Sequence, residues 1–176
     1  ERGVRKDEFF DVYGQLKQVV EYNGGQTYTT NYAYDAAGSL LTVTNALGHV
    51  TTLTYDLLGH KATMQDPNMG YWTYTYSRAG DLTRQTDARN TSLDFGYDAL
   101  GRIATKMQGS TTLATWTYDD VNVANSKGRL TRVVDGAADT QLSYDVLGRV
   151  TQTQRTIDSV TYTMAQTYDA LSRITR

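Results

Sequence analysis

One seven-residue phrase recurs along this chain and constrains its fold more than any other feature. It reads "YDALGRI" at 97–103, "YDVLGRV" at 144–150 and "YDALSRI" at 168–174. Aligned on aromatic–Asp–x–x–Gly, the copies begin with Phe10-Asp11 and Gly14, Tyr34-Asp35 and Gly38, and Tyr55-Asp56 and Gly59. Tyr76-Ser77 with Gly80 and Tyr97-Asp98 with Gly101 and Arg102 follow. Tyr118-Asp119, whose glycine is displaced to Gly128, comes next. Tyr144-Asp145 with Gly148 and Arg149, and Tyr168-Asp169 with Ser172 and Arg173, complete the series. From Tyr34 to Tyr118 the step is 21 residues four times running, and elsewhere it is 24 or 26. A fixed period of this length is the mark of a repeat architecture.

Each unit reads as two strands and two turns. Before the anchor, residues alternate: "YWTYTY" at 71–76 sets Trp72, Tyr74 and Tyr76 on one face and Tyr71, Thr73 and Thr75 on the other. Leu93, Phe95 and Tyr97 repeat the pattern, as do Trp116 with Tyr118 and Leu142 with Tyr144. Period two means a strand, and equal phase in each copy loads the same face every time. After the anchor, Asp opens a type I turn by accepting a backbone N–H, and Gly takes the position where φ turns positive. The return strand starts with an apolar residue two beyond the glycine (Leu16, Leu40, Leu82, Ile103, Leu130 and Val150), except that Lys61 follows Gly59. "NALG" at 45–48 and "DPNMG" at 66–70 read as turns at the other end.

Composition agrees. The chain has 28 Thr and 14 Tyr against 3 Phe, and a single proline, Pro67. β-branched and aromatic side chains suit a pleated, half-buried surface. The expected fold is all-β: stacked antiparallel hairpins of a solenoid, part of a curved sheet or spiral shell. A lone hairpin is marginal in water, so stability has to come from neighbouring repeats rather than a central core. We expect residues 1–9 to be a flank or partial repeat and 10–176 to be one repeat array, its last copy cut off within the return strand.

Several functions are disfavoured. Net charge is −2, with no block of like charge, so a nucleic-acid surface is not expected. No run is long enough for a membrane span. Without cysteine there is neither a disulfide scaffold nor a thiolate zinc site. The start, "ERGVRKDEFF", has neither an initiator Met nor the apolar stretch of a signal peptide, and reads as a piece of a longer chain.

Tyr-Asp-x-x-Gly-Arg at a step of about 21 residues resembles the YD repeat of the Rhs family. That family includes bacterial Rhs polymorphic toxins, shell subunits of insecticidal toxin complexes and the teneurins. The resemblance runs from about Phe10 to Arg176 and implies a segment of a hollow shell. It also implies, for the bacterial members, an enclosed C-terminal toxin domain, and a secreted or cell-surface protein. Partners implied are the rest of the shell and that cargo. The family's self-cleavage motif, of Asp-Pro-x-Gly-Leu type, has only a loose echo here in Asp66-Pro67-Asn68-Met69-Gly70, which we read as a turn.

No catalytic residue, cofactor site or metal site is expected. Calcium loops need converging oxygens in a D-x-[DN]-x-[DN]-G run, and the repeat aspartates read as turn formers instead. The stretch 119–127, with Asp119, Asp120, Asn122 and Asn125, is the best metal candidate, but reads as a longer solvated turn. His49 and His60 sit beside glycines in turns. The arginine after the turn glycine (Arg102, Arg129, Arg149, with Arg173 after Ser172) is set either to pair with the next turn's Asp or stack on a Tyr, or to stand as a solvated charge. An alternative function is a glycan- or cell-surface-binding module, with Tyr71, Trp72 and Tyr74 as the platform. Two unpaired sheet edges would also favour self-association.

Overall fold

A computed structural model describes residues 5–175 and contains strands, turns and no helix among them. The chain divides into two compact units, Glu1–Ser92 and Leu93–Arg176. In the first lie β1 (Arg5–Phe10), β2 (Leu16–Asn23), β3 (Gln26–Tyr34), β4 (Leu40–Thr44), β5 (Val50–Tyr55), β6 (Lys61–Asp66), β7 (Gly70–Tyr76) and β8 (Leu82–Thr86). The second holds β9 (Ser92–Tyr97, from its second residue), β10 (Ile103–Gln108), β11 (Thr111–Tyr118), β12 (Leu130–Asp135), β13 (Asp139–Tyr144), β14 (Val150–Ile157) and β15 (Val160–Ala165). Within each unit hydrogen-bonded order is chain order and every pairing is antiparallel. Of the expected flank at 1–9, residues 1–4 lie outside the described part, as does Arg176. Residues 5–9 form most of β1, which pairs with β2.

The alternation predicted from sequence is the one observed. Trp72 pairs with Met64 and Tyr74 with Gln85, whereas Thr73 pairs with Thr63 and Thr86 on the opposite face. One face is aromatic and aliphatic. The other is a polar ladder that includes Thr42↔Thr52, Thr54↔Thr63 and, in the second unit, Thr105↔Thr115 and Gln141↔Gln154. Hydroxyls of Thr54 and Thr63 lie 2.6 Å apart.

A β-bulge recurs one step before the anchor. In the first unit the register slips between Ala33 and Tyr34, Thr54 and Tyr55, and Thr75 and Tyr76. In the second it slips between Thr117 and Tyr118 and between Ser143 and Tyr144. The extra residue is the third after the turn glycine, for example Thr83 or Thr131. Because one residue of slip exchanges the faces of a strand, the bulge lets Leu82 pair with Tyr76 while Arg84 pairs with Thr75. Among the described residues very little is fully buried: Val19, Val20, Ala114 and Ala138 are the buried apolar residues, and Thr131, at 2% exposure, is the most enclosed side chain. Each layer is one sheet thick, so its cohesion has to come from the junctions between repeats.

Candidate functional site

The repeat signature converges on the junction between neighbouring repeats, which is built from the turn upward. After β3, the Asp35 N–H donates to the Ser39 carbonyl (2.9 Å) and the Gly38 N–H to the Asp35 carbonyl (3.1 Å). The Asp35 carboxylate then accepts from the N–H groups of Ala37 (2.9 Å) and Ser39 (2.8 Å). The same four bonds close the turns at Asp11, Asp56, Asp98, Asp145 and Asp169. This is a type I turn followed by a left-handed residue, with φ +89° at Gly38 and +75° at Gly101. Ser77 replaces Asp by presenting its Oγ to Ala79 and Asp81. At the opposite rim Asn45 binds Leu47 and His49 in the same way.

These bonds set the protonation of the turn carboxylates. Asp35 and Asp145 are held below the ordinary carboxylate value, first by the backbone N–H four residues on. Asp98 is lowered first by the Arg102 N–H and also by its guanidinium. For Asp119 the guanidinium of Arg102 is the larger cause, followed by the Gly128 N–H.

Five of the anchors tie their repeat to the one before. Tyr34 Oη donates to the Leu16 carbonyl (2.9 Å), Tyr55 to Leu40 (2.9 Å) and Tyr76 to Lys61 (3.0 Å). In the second unit Tyr144 donates to Leu130 (2.5 Å) and Tyr168 to Val150 (2.7 Å). The acceptor is always two residues beyond the preceding turn glycine, next to the bulge. A bulge disrupts the strand ladder locally, and a tyrosine hydroxyl meets the carbonyl there. Lys61, which breaks the apolar rule, serves as acceptor through its backbone, and its Nζ lies 4.0 Å from the Tyr74 ring centroid. Burial raises the Tyr76 and Tyr144 phenols above their ordinary value.

The residue after the glycine makes a third tie. Arg102 Nε bonds its own turn's Asp98 (2.7 Å), and Nη2 reaches Asp119 of the next turn (2.6 Å). Its guanidinium also sits 4.2 Å from the Tyr118 ring centroid. Arg149 bonds Asp145 (2.6 Å), donates to Ser172 Oγ (3.1 Å) and covers Tyr168. Arg173 bonds Asp169 (2.7 Å). Arg129 lies over Tyr144 and donates to the Gly148 carbonyl. Arg102 and Arg149 therefore both pair and stack, whereas Arg129 stacks and Arg173 pairs; Arg102, Arg149 and Arg173 each also bond their own turn's carboxylate, which the sequence reading did not foresee. Where the slot holds Gln15 or His60, the side chain still reaches the next turn. Each stops close to where a Cβ on Gly38 or Gly80 would stand, at 2.9 and 3.1 Å. His60 also bonds Asp56 (3.0 Å) and stacks on Tyr76.

The remaining candidates are structural in their contacts. In the long turn, Asp119 Oδ1 accepts the Gly128 N–H, Asp120 Oδ1 accepts from Asn122, and the Asn125 amide donates to the Tyr144 carbonyl. No grouping of three metal-binding side chains occurs among the described residues. Asp66 caps a turn, accepting from Asn68, Met69 and Thr51. Trp72 and Tyr74 share a face, but Tyr71 pairs with Gln65 on the other, so the three do not form one platform. Thr83 and Thr131, the bulge residues, donate through Oγ1 to the carbonyls of Thr75 and Thr117. Nothing in the periodicity singles them out.

In each unit, antiparallel hairpins knitted repeat to repeat by Tyr, Asp, Gly and Arg mark the YD-repeat class of β-proteins. The family model described as Teneurin YD-shell matches residues 9–133, and the chain belongs to that family. Among solved structures it is similar to a component of the Photorhabdus luminescens Tc holotoxin pore. That match has 17% identity, covers 95% of this chain and 10% of the other, and has a TM-score of 0.71. A crystal structure described as TcdB2-TccC3-TEV matches at 18% identity, 96% and 11% coverage and a TM-score of 0.69. Another, of TcdB2-TccC3-Cdc42, matches at 18% identity, 91% and 10% coverage and a TM-score of 0.66. The chain thus spans about a tenth of the length of these solved chains. No curated protein sequence matches it.

Proposed function

We propose that the chain is a wall segment of a YD shell, and that its role is mechanical: it extends and stiffens a sheet that encloses a cargo. The observation that carries this reading is the use of the repeat-signature side chains. The hydroxyls of Tyr34, Tyr55, Tyr76, Tyr144 and Tyr168, the turn carboxylates, and Arg102 and Arg149 hold one repeat to itself or to the next. A wall needs many modest contacts, each formed between neighbours, and these junctions supply them. By extension from the bacterial relatives, the cargo is a toxic domain encoded after the array, and the protein acts outside the producing cell.

Limited proteolysis of the full-length gene product tests this. A domain downstream of the array should resist protease while the shell is intact, and should become digestible once urea opens it. A downstream domain cleaved at the same rate in both states contradicts enclosure.

A further inference from the structure

Asn23 is the one asparagine in the chain that glycine follows, and Asp135 the one aspartate. Glycine has no side chain to shield its nitrogen, so that nitrogen can reach the side-chain carbonyl carbon of the residue before it. The fold treats the two pairs differently. Asn23 closes the β2–β3 ladder opposite Gln26, and Gly24 and Gly25, at φ +57° and +79°, make the two-residue loop. Asn23, Gly24 and Gly25 are all exposed. Among the described residues no hydrogen bond engages the Asn23 side chain or the Gly24 N–H. Nothing stands within 4 Å of where a Cβ on Gly24 would lie. Asn23 and Gln26 form the last pair of the ladder, so only that pair has to open for the two groups to meet, and element ends open most readily.

Elsewhere the same chemistry is held off. The Asp135 carboxylate accepts from the N–H groups of Ala137 (2.8 Å) and Ala138 (2.9 Å), and as an ionised group it has no leaving group to lose. Asn45 Oδ1 accepts from Leu47 and His49. The Asn125 amide donates to the Tyr144 carbonyl, and Ser126 after it is buried. We propose that Asn23-Gly24 is a spontaneous modification site, at which the folded chain converts asparagine to aspartate and isoaspartate without an enzyme. The Gly24 nitrogen bonds to the Asn23 side-chain carbonyl carbon, and its proton departs with the amide nitrogen as ammonia. This leaves a succinimide. Water then opens the ring: breaking the bond from the Gly24 nitrogen to the side-chain carbon gives aspartate, and breaking the bond to the main-chain carbon gives isoaspartate. Either product makes the net charge of −2 one unit more negative, beside Glu21 on the same strand. Isoaspartate also lengthens the main chain by a methylene, in a loop whose length sets the register of β2 and β3. The site does not depend on the wall reading or on any cargo.

Peptide mapping by mass spectrometry tests it, on chain aged in mildly alkaline buffer and on a parallel sample unfolded in guanidinium chloride. In the folded chain the replacement of NH by O should appear at Asn23 first, roughly tenfold or more faster than at any other asparagine. Unfolding should accelerate Asn45 and Asn125 and change Asn23 little, because the fold protects only the former two. Asn23→Ser removes the reacting carbonyl but keeps both loop glycines, and should lose the fast release of ammonia. An Asn23 that stays intact in the folded chain while converting in the unfolded one overturns the proposal, because the hairpin would then protect it. So does a folded chain in which another asparagine converts first.

Discussion

The Tyr55 hydroxyl donates to the Leu40 carbonyl at 2.9 Å, joining the end of one repeat to the start of the previous return strand. Tyr55→Phe keeps the ring and removes only this bond. A typical buried hydrogen bond is worth about 0.5–1.5 kcal/mol, so urea denaturation should register a loss of that size. Phe10, at the first anchor, has no hydroxyl to lose, and Phe10→Tyr should give no comparable gain.

Gly148 and Gly101 separate two reasons for a glycine. Both are left-handed, at φ +77° and +75°. A Cβ at Gly148 would overlap the Arg129 guanidinium, whereas at Gly101 nothing lies within 4 Å. Gly101→Ala should cost about 1 kcal/mol of backbone strain. Gly148→Ala should cost measurably more in the same thermal melt, because Arg129 must also leave Tyr144.

Thr131 is the most enclosed side chain among the described residues, and its hydroxyl donates to the Thr117 carbonyl at 3.0 Å. Thr131→Val preserves shape but leaves that carbonyl without the donor. A loss of about 1–3 kcal/mol is expected, against little change for Thr131→Ser, as read by urea midpoint.

Turn carboxylates make the array acid-sensitive. Asp35, Asp56, Asp98, Asp119, Asp145 and Asp169 all have lowered folded-state values. A lowered value means the folded state holds the proton less well than the unfolded chain, where Asp titrates near 3.9. Their contribution is therefore present above about pH 4–5 and lost as pH falls below that toward the folded values. Urea midpoints should be level from neutral pH to about 5 and drop steeply below about 4. Asp98→Asn, which keeps the turn acceptor as Asn45 does, should flatten part of that drop. An unaltered slope would mean that the Asp98 carboxylate does not contribute to it.

Much of this was legible in the sequence because side chains carried it. The 21-residue step placed the turns, and period two placed Trp72, Tyr74 and Tyr76 on one face. The arginine slot also announced itself, though not its bond back to its own turn. The junction bond was hidden because its acceptor is a backbone carbonyl, which belongs equally to Leu40, Lys61 and Val150 and leaves no residue preference. Its one trace was the preference for Tyr over Phe, 14 against 3. The bulge was hidden for a similar reason: Lys17, Ala62 and Thr131 share a position and no side-chain property.

The central claim is that stability is passed from neighbour to neighbour. Deleting one whole period, residues 56–76, joins Tyr55 to Ser77 and leaves every remaining repeat with a partner in register. If the claim holds, the shortened chain keeps its antiparallel far-UV circular dichroism, and its urea m-value falls in proportion to the surface removed. Collapse of the whole fold on losing one period would contradict it.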